Sequence, residues 1–331
     1  MSIVYFLLCC LCFVRNKLSW PLIVIIILIL CLIATYRDPF LPDYESYYNF
    51  RVHYVNDERL EPSIFLIRDI SIFLSNSFYL FFFIYALIAI ALKLVAIRRL
   101  TNYVVLSLLA YLALDFPIHE MIQMRAAVAM GFMLLSLPYI YEKKIVQFIF
   151  IVALATTFHY TALLALPLYF INVENINKRR EIFLLLFSFL VGFLKIGITF
   201  IIEYIPIDFV QYLYNMYKQT NMFSNEESIF SIMIMCLFVI QFFLLWNVEK
   251  ISATNKYIFL LIKIQTISLC SFFLLSDIPT IAGRVSEFYR IAFIISIPLI
   301  VSLFKQRIIG KILVVIICSI FYIRLLSLYY I

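Results

Sequence analysis

The stretch from Asp115 to Gly131, DFPIHEMIQMRAAVAMG, sets a histidine, a glutamate, a glutamine and an arginine into an otherwise apolar run. A charged side chain within or at the mouth of a membrane span costs at least about 2.5 kcal/mol unless it faces a polar cavity or a partner. Arg125 therefore needs a function. A second charged group, in SDIPTIAGRVSEFYR, places Arg284, Glu287 and Arg290 at three-residue steps in what reads as an outer loop. Two arginines on roughly one face can fork a phosphate or pyrophosphate, and an Arg–Glu pair closing the loop is the plainer reading. The segment RDPFLPDYESYYNF carries Arg37 and puts Asp43 beside Tyr44, Tyr47 and Tyr48. A carboxylate among aromatic faces suits sugar binding, although an interfacial aromatic belt explains the same tyrosines. Glu61, held against Pro62 at a helix start, is a further carboxylate candidate. His159, at a break between two short apolar runs, reads as a helix-end hydrogen-bonder or as a proton carrier or oxyanion donor.

Helical geometry constrains how these groups combine. His119 and Gln123 are four apart and share a face of a continuous helix, with Glu120 flanking them. Arg125 would sit roughly 140° from Glu120 at about 100° per residue. The polar residues therefore cannot all line one pocket unless the helix begins after Glu120. HExxQ is not a zinc site, because Gln123 stands where a second histidine ligand is required. Ala126, Ala127, Ala129 and Gly131 admit a closely packed neighbour. After Pro62, the spacing of Ile64, Ile67, Arg68 and Ser71 predicts an amphipathic helix on the outer surface, with Arg68 and Asp69 on its solvated face.

The elements that position these residues must be membrane helices. With 65% hydrophobic and 14% charged residues among 331, the chain cannot carry a soluble domain's polar shell. Apolar runs fall near 1–14, 20–35, 75–97, 103–118, 121–140, 145–158, 161–171, 182–202, 229–246, 257–276, 288–304 and 308–328. A helix crosses the hydrocarbon with about 20 residues, so these predict an all-α, polytopic bundle of about 12 membrane segments forming a single domain over 1–331. The runs on either side of His159 are short and read as two tilted helices or one broken helix. The first run lacks the basic start and cleavage site of a signal peptide, so it reads as a span.

Lysines and arginines on alternate loops or their rims, Lys93 among them, assign one side as cytoplasmic. The opposite side receives the segments near 36–76 and 203–228, the turn around His119, the break at His159 and the loop bearing Arg284. The net charge of +7 follows this pattern and is no sign of nucleic acid. The seven cysteines lie in apolar runs without a CxxC pair, which predicts buried thiols and no disulfide framework. The basic connectors contain no Gly-rich phosphate cradle, so an activated substrate would be lipid-borne and handled on the outer face.

PDYESYY after the second span, EPS before the third, HEMIQMRAAVAMG, FHYTALLALPLY and AGRVSEFY occur in an order that resembles Wzy-type O-antigen polymerases of the EpsG-like branch. That branch often has glutamine directly after the motif arginine, where this chain has Ala126, so no role for that glutamine carries over. The resemblance implies a multi-span, GT-C-like glycosyltransferase of the bacterial inner membrane, working at the periplasmic face. It would transfer the growing undecaprenyl-diphosphate-linked glycan onto a new lipid-linked repeat unit, with inversion. The bilayer, the lipid-linked units and a chain-length regulator would be its partners.

Displacing a lipid diphosphate needs cations on the leaving group and a base on the acceptor hydroxyl. Arg125, Arg284 and Arg290, with Arg37, would serve the diphosphate. Asp43, Glu120, Glu61 and His159 form the pool for the base, with His119, Gln123 and Glu287 as further polar groups of the site. No cofactor is required, and a divalent cation bound by diphosphate and carboxylate is compatible with this chemistry. An O-antigen ligase shares outer-face arginines. A lipid-oligosaccharide flippase has a similar span count but calls for functional polar residues at mid-membrane and on both faces.

Overall fold

The computed structural model describes residues 1–53, 60–195 and 230–329. The expected outer segment 203–228, together with Asp57, Glu58 and Arg59, lies outside them. Among the described residues the chain is all helical. Four stretches are long and apolar enough to cross a membrane, and seven shorter apolar helices accompany them. The chain is an integral membrane protein.

The helix α1 (Ser2–Val14) packs within the bundle. Its Tyr5 ring stacks on Tyr322 at 4.0 Å, and Lys311 Nζ donates to the Cys12 carbonyl at 2.7 Å. The second helix, α2 (Trp20–Thr35), opens with Pro21 in its first turn and delivers the chain to the short helix α3 (Tyr44–Val52). Next comes α4 (Pro62–Leu74), whose buried set of Ser63, Ile64, Ile67, Arg68 and Ser71 matches the amphipathic spacing. One expectation fails there. Arg68 is buried with its guanidinium 5.0 Å from the Phe50 ring centre and its Nε donating to Asp69, so it does not belong to a solvated face.

The axis of the site is the pair α5 (Tyr79–Leu100) and α8 (Met124–Tyr141). A Cβ added at Gly131 would lie 2.9 Å from the Leu92 Cβ, so the small residues do permit a close approach of these helices. Between them run α6 (Val104–Leu114) and the single turn α7 (Phe116–His119). At about 1.5 Å per residue, the 11 residues of α6 cover only about half of a 30 Å hydrocarbon core. His119 and Glu120, expected at an open outer mouth, are each only 1% exposed, because the turn that carries them packs against α5 and the helix Pro279–Arg290.

Lys93 shows the same point. Expected at a loop rim, it is fully buried in α5, where it pairs with Asp115 and reaches Glu120 Oε1 at 2.5 Å. The turn descends to meet a cation on the next helix. Buried ions of one sign are costly, and neighbouring groups of opposite charge offset that cost.

The ambiguity around His159 resolves as a hairpin. After α9 (Ile145–Phe158), His159 takes extended backbone and the chain returns as a 3-10 segment, Tyr160–Phe170. Lys143 donates to the carbonyls of Tyr169 and Ile171, which ties the two feet together and leaves His159 at the tip. Then follow α10 (Lys178–Phe193), α11 (Ile232–Trp246), α12 (Val248–Ser252) and α13 (Ile258–Leu274).

A last difference concerns the expected outer loop. Residues Pro279–Arg290 form helix α14, which leads through α15 (Phe293–Ser296) and a 3-10 turn, Ile297–Leu303, as one apolar span. Pro279 starts α14, and its buried Ala282, Ser286, Tyr289 and Arg290 share one face, away from the exposed Arg284. The chain closes with α16 (Arg307–Tyr329). All seven cysteines are free thiols.

Lys93→Met leaves Asp115 and Glu120 buried without their cation and should destabilise the protein by roughly 3–5 kcal/mol. Adding Asp115→Asn and Glu120→Gln should recover most of that loss. Thermal unfolding of the detergent-purified protein checks both, and a single variant as stable as the parent would contradict the ion cluster.

Candidate functional site

Three chain segments far apart in sequence converge on one open cavity of about 100 Å³. The start of α8 contributes Gln123, Arg125 and Ala126, the hairpin tip contributes His159 and Thr161, and α14 contributes Arg284 and Glu287. Asp43 and Tyr47 close the remaining side.

The helix break explains why Arg125 reaches this cavity without its sequence neighbours. Gln123 caps α8 with non-helical backbone, so His119 and Gln123 do not share a helical face. Gln123 lines the cavity, whereas His119 and Glu120 are buried behind it. Glu120 reaches Lys93 instead, which removes it from the groups that face the cavity.

Arg125 is held by Glu61. Its Nη1 donates to Glu61 Oε2, while the other carboxylate oxygen, Oε1, lies 2.6 Å from His159 Nδ1. The Tyr160 N–H approaches Oε1 at 3.4 Å. One carboxylate thus ties α8 to the hairpin tip, and Pro62 starts α4 directly behind it. Glu61 itself is buried and does not line the cavity; it positions two groups that do. Burial alone would raise its carboxyl, but the His159 hydrogen bond and the Arg125 charge outweigh burial and hold it below the ordinary glutamate value. Its stabilisation is complete above the unfolded glutamate value and is lost as pH falls through the lower folded one. Arg125 keeps its Nε buried and without a protein acceptor among the described residues. Its guanidinium lies 5.9 Å from the Tyr47 ring centre.

Asp43 reaches the cavity through a strained turn. Two turn hydrogen bonds, Leu41 N–H to Asp38 O and Tyr44 N–H to Leu41 O, fold the Pro39–Pro42 segment back on itself. Asp43 then takes φ 64°, a left-handed conformation that aspartate tolerates better than most residues. Its side chain makes no capping bond and is exposed toward the cavity.

The two expected phosphate-binding pairs divide. Arg284 is exposed and lines the cavity, whereas Arg290 is buried and donates to Glu287 Oε1 at 3.2 Å. Arg290 therefore forms the Arg–Glu pair, and the two arginines do not fork one group. Arg37 also turns inward. Its guanidinium donates to the carbonyls of Ala34 and Met121 and lies 4.0 Å from the Phe82 ring centre, which fastens the end of α2 to the turn before α8.

Of the tyrosines expected beside Asp43, Tyr47 lines the cavity, whereas sequence reasoning missed Thr161 and Ala126 as wall residues and Lys93 as the buried counter-ion. A lysine inside the apolar run 75–97 was the available signal for Lys93. Among the described residues, no group of three His, Cys, Asp or Glu side chains stands in metal-ligating geometry.

A polytopic helical membrane protein with an arginine- and carboxylate-lined cavity at the meeting of a helix start and a hairpin tip is the class this fold defines. The EpsG family model matches residues 20–331, and the chain belongs to that family, a Wzy-type polymerase-like family. No curated protein and no solved structure matches it. The cavity wall includes Ala126.

Glu61→Ala and Arg125→Ala, singly and together, should be non-additive in thermal stability, with a coupling of roughly 0.5–3 kcal/mol at neutral pH that fades in acid. Additive losses would show that the two do not act as one clamp.

Proposed function

We propose that this protein is an O-antigen polymerase of GT-C-like architecture, with about 12 membrane segments, in the bacterial inner membrane with the cavity open to the periplasm. It joins lipid-linked repeat units by moving the growing glycan from its undecaprenyl diphosphate onto the new unit, with inversion. The observation that carries this reading is the meeting of Arg125 and Arg284, from helices far apart in sequence, on one cavity that also holds Asp43, His159 and Glu287.

Departure of a diphosphate from an anomeric carbon builds negative charge on the leaving oxygen. The partly buried Arg125 and the exposed Arg284 present positive charge to that oxygen, and the burial of Arg125 strengthens its share beyond what bulk solvent allows. Glu61 holds Arg125 through Nη1, and Arg125 also lines the cavity. Asp43 and His159 face the same space as carriers of the acceptor's proton, and Tyr47 offers an aromatic face to a sugar ring. Arg37 and Arg290 support the walls. The arginines carry the charge in this reading, so it requires no metal, and a divalent ion brought in with the diphosphate is compatible with it. The lipid-linked units are the partners, and a chain-length regulator would set how often the transfer repeats.

Arg125→Ala and Arg284→Ala should each lower long-chain glycan by about 100-fold or more while leaving protein in the membrane. Asp43→Asn keeps a side chain that suits the left-handed turn and so separates the carboxylate's chemistry from its backbone role. Lipopolysaccharide gels of a deletion strain carrying each variant read the outcome. A single repeat on the core supports polymerase, whereas a core with no repeat points to a flippase or ligase.

A further inference from the structure

The helix α8 begins at the cavity and ends at Tyr141, whose ring centre lies 5.0 Å from Lys256 Nζ. Lys256 therefore marks the opposite end of the bundle. Two adjoining hollows of about 160 and 170 Å³ lie there, and Asn102 and Thr254 belong to the walls of both. Arg98, Arg99 and Lys256 line the first, and Arg307 lines the second. No carboxylate among the described residues lines either one. The acidic side chains nearby are paired elsewhere, Glu142 with Lys144 at 2.7 Å, Glu249 with Lys178 at 2.8 Å and Glu181 with Arg180 at 2.7 Å.

The orientation rule accounts for the sign of charge at this end, but it does not call for a concave and fixed arrangement of it. Arg98 lies with its guanidinium 4.1 Å from the Trp20 ring centre, and Lys256 Nζ lies 5.0 Å from the ring centres of both Tyr141 and Tyr257. Aromatic faces hold these cations without neutralising them. The wall is fixed too. Asn255 donates to the Leu100 carbonyl at 2.7 Å and accepts from the Tyr257 N–H at 2.8 Å, which ties the connector before α13 to the end of α5. In the second hollow, Asn16 keeps its Oδ1 buried and without a hydrogen-bond partner among the described residues. A buried acceptor is costly unpaired, so a fitting ligand brings a hydroxyl donor as well as negative charge.

We propose that these hollows bind the headgroup of an anionic phospholipid of the phosphatidylglycerol kind, with its phosphate on the basic side chains and a glycerol hydroxyl donating to Asn16. The surroundings favour a bilayer lipid over a free phosphate. Trp20, 57% exposed beside Arg98, is the residue type that membrane proteins place at the headgroup layer. Directly after Arg307, the exposed Ile308, Ile312, Ile316 and Ile320 recur every four residues and form an apolar stripe along α16. Acyl chains can lie along that stripe while the headgroup stays at its basic head. Clustered Lys and Arg at a membrane surface attract anionic headgroups, each contributing roughly fivefold in affinity. This lipid is distinct from the lipid-borne substrate, and its site does not depend on the chemistry assigned to the cavity.

Native mass spectrometry of the full-length protein, stripped of lipid in neutral detergent and titrated with phosphatidylglycerol, reads the site. Arg99→Gln with Arg307→Gln removes two exposed cations and should weaken binding about 30-fold. Arg99→Lys with Arg307→Lys should restore most of it. Arg179→Gln with Lys250→Gln removes two exposed cations of the same end that line neither hollow, and should leave binding unchanged. Phosphatidylcholine, with no net charge, should bind far more weakly than phosphatidylglycerol. Equal binding by the parent and the Arg99/Arg307 glutamine variant, or an equal loss in the Arg179/Lys250 variant, overturns a built site. Phosphatidylcholine bound as tightly as phosphatidylglycerol overturns the recognition of charge. Displacement of the lipid by millimolar inorganic phosphate overturns the lipid as occupant and assigns the hollows to free phosphate.

Discussion

The carboxylate of Glu61 is the constraint on which the cavity depends. It is buried at the start of α4, and its two oxygens are divided between Arg125 on α8 and His159 at the hairpin tip. Neither contact is local in sequence. Without it, a guanidinium at the head of a membrane helix would lack its counter-charge, and the hairpin tip would lose its main polar anchor to α4. The pairing is buried enough to be strong, yet Arg125 still lines the cavity. Fixing the guanidinium while keeping it on the cavity is what an anion site needs from a structural carboxylate.

A second constraint comes from the price of charge in an apolar core. The buried groups around Lys93 and His119 occur as alternating cations and carboxylates, and the turn Asp115–Gln123 is drawn into the bundle to complete them. The break after the short α6 makes this geometry available, since it frees Asp115–Gln123 to turn toward Lys93. Charge pairing here sets the path of the chain as well as its stability. It also places α8 so that Arg125 begins the helix facing the cavity rather than the lipid.

Much of this was legible in residue order alone. Membrane helices follow from the apolar runs, the buried face of α4 from its spacing, and the close contact of α5 with α8 from the small residues ending in Gly131. The angular mismatch set Arg125 apart from His119, Glu120 and Gln123; the structure keeps it apart from His119 and Glu120, but the helix break at Gln123 puts Gln123 beside it on the cavity wall. Other features depended on depth or on distant partners. Counting Lys93 toward the orientation rule hid its role, because that rule weighs loop charges and says nothing of a lysine inside a span. Arg37, Arg68 and Arg290 stood out as anomalous cations, but the carbonyls, rings and carboxylate that satisfy them come from tertiary packing. The helical start at Pro279 was masked by the charged residues of α14, which serve the cavity instead of a loop.

The central claim is that Arg125 and Arg284 together hold a lipid-borne diphosphate. An electron cryomicroscopy structure of the full-length protein with undecaprenyl diphosphate tests it most directly. Phosphate density within hydrogen-bonding distance of both guanidiniums, with Glu61 still engaged on the far side of Arg125, is the predicted result. Diphosphate bound instead at the basic end of the bundle beside Arg98 and Arg99, with the cavity arginines untouched, would contradict it.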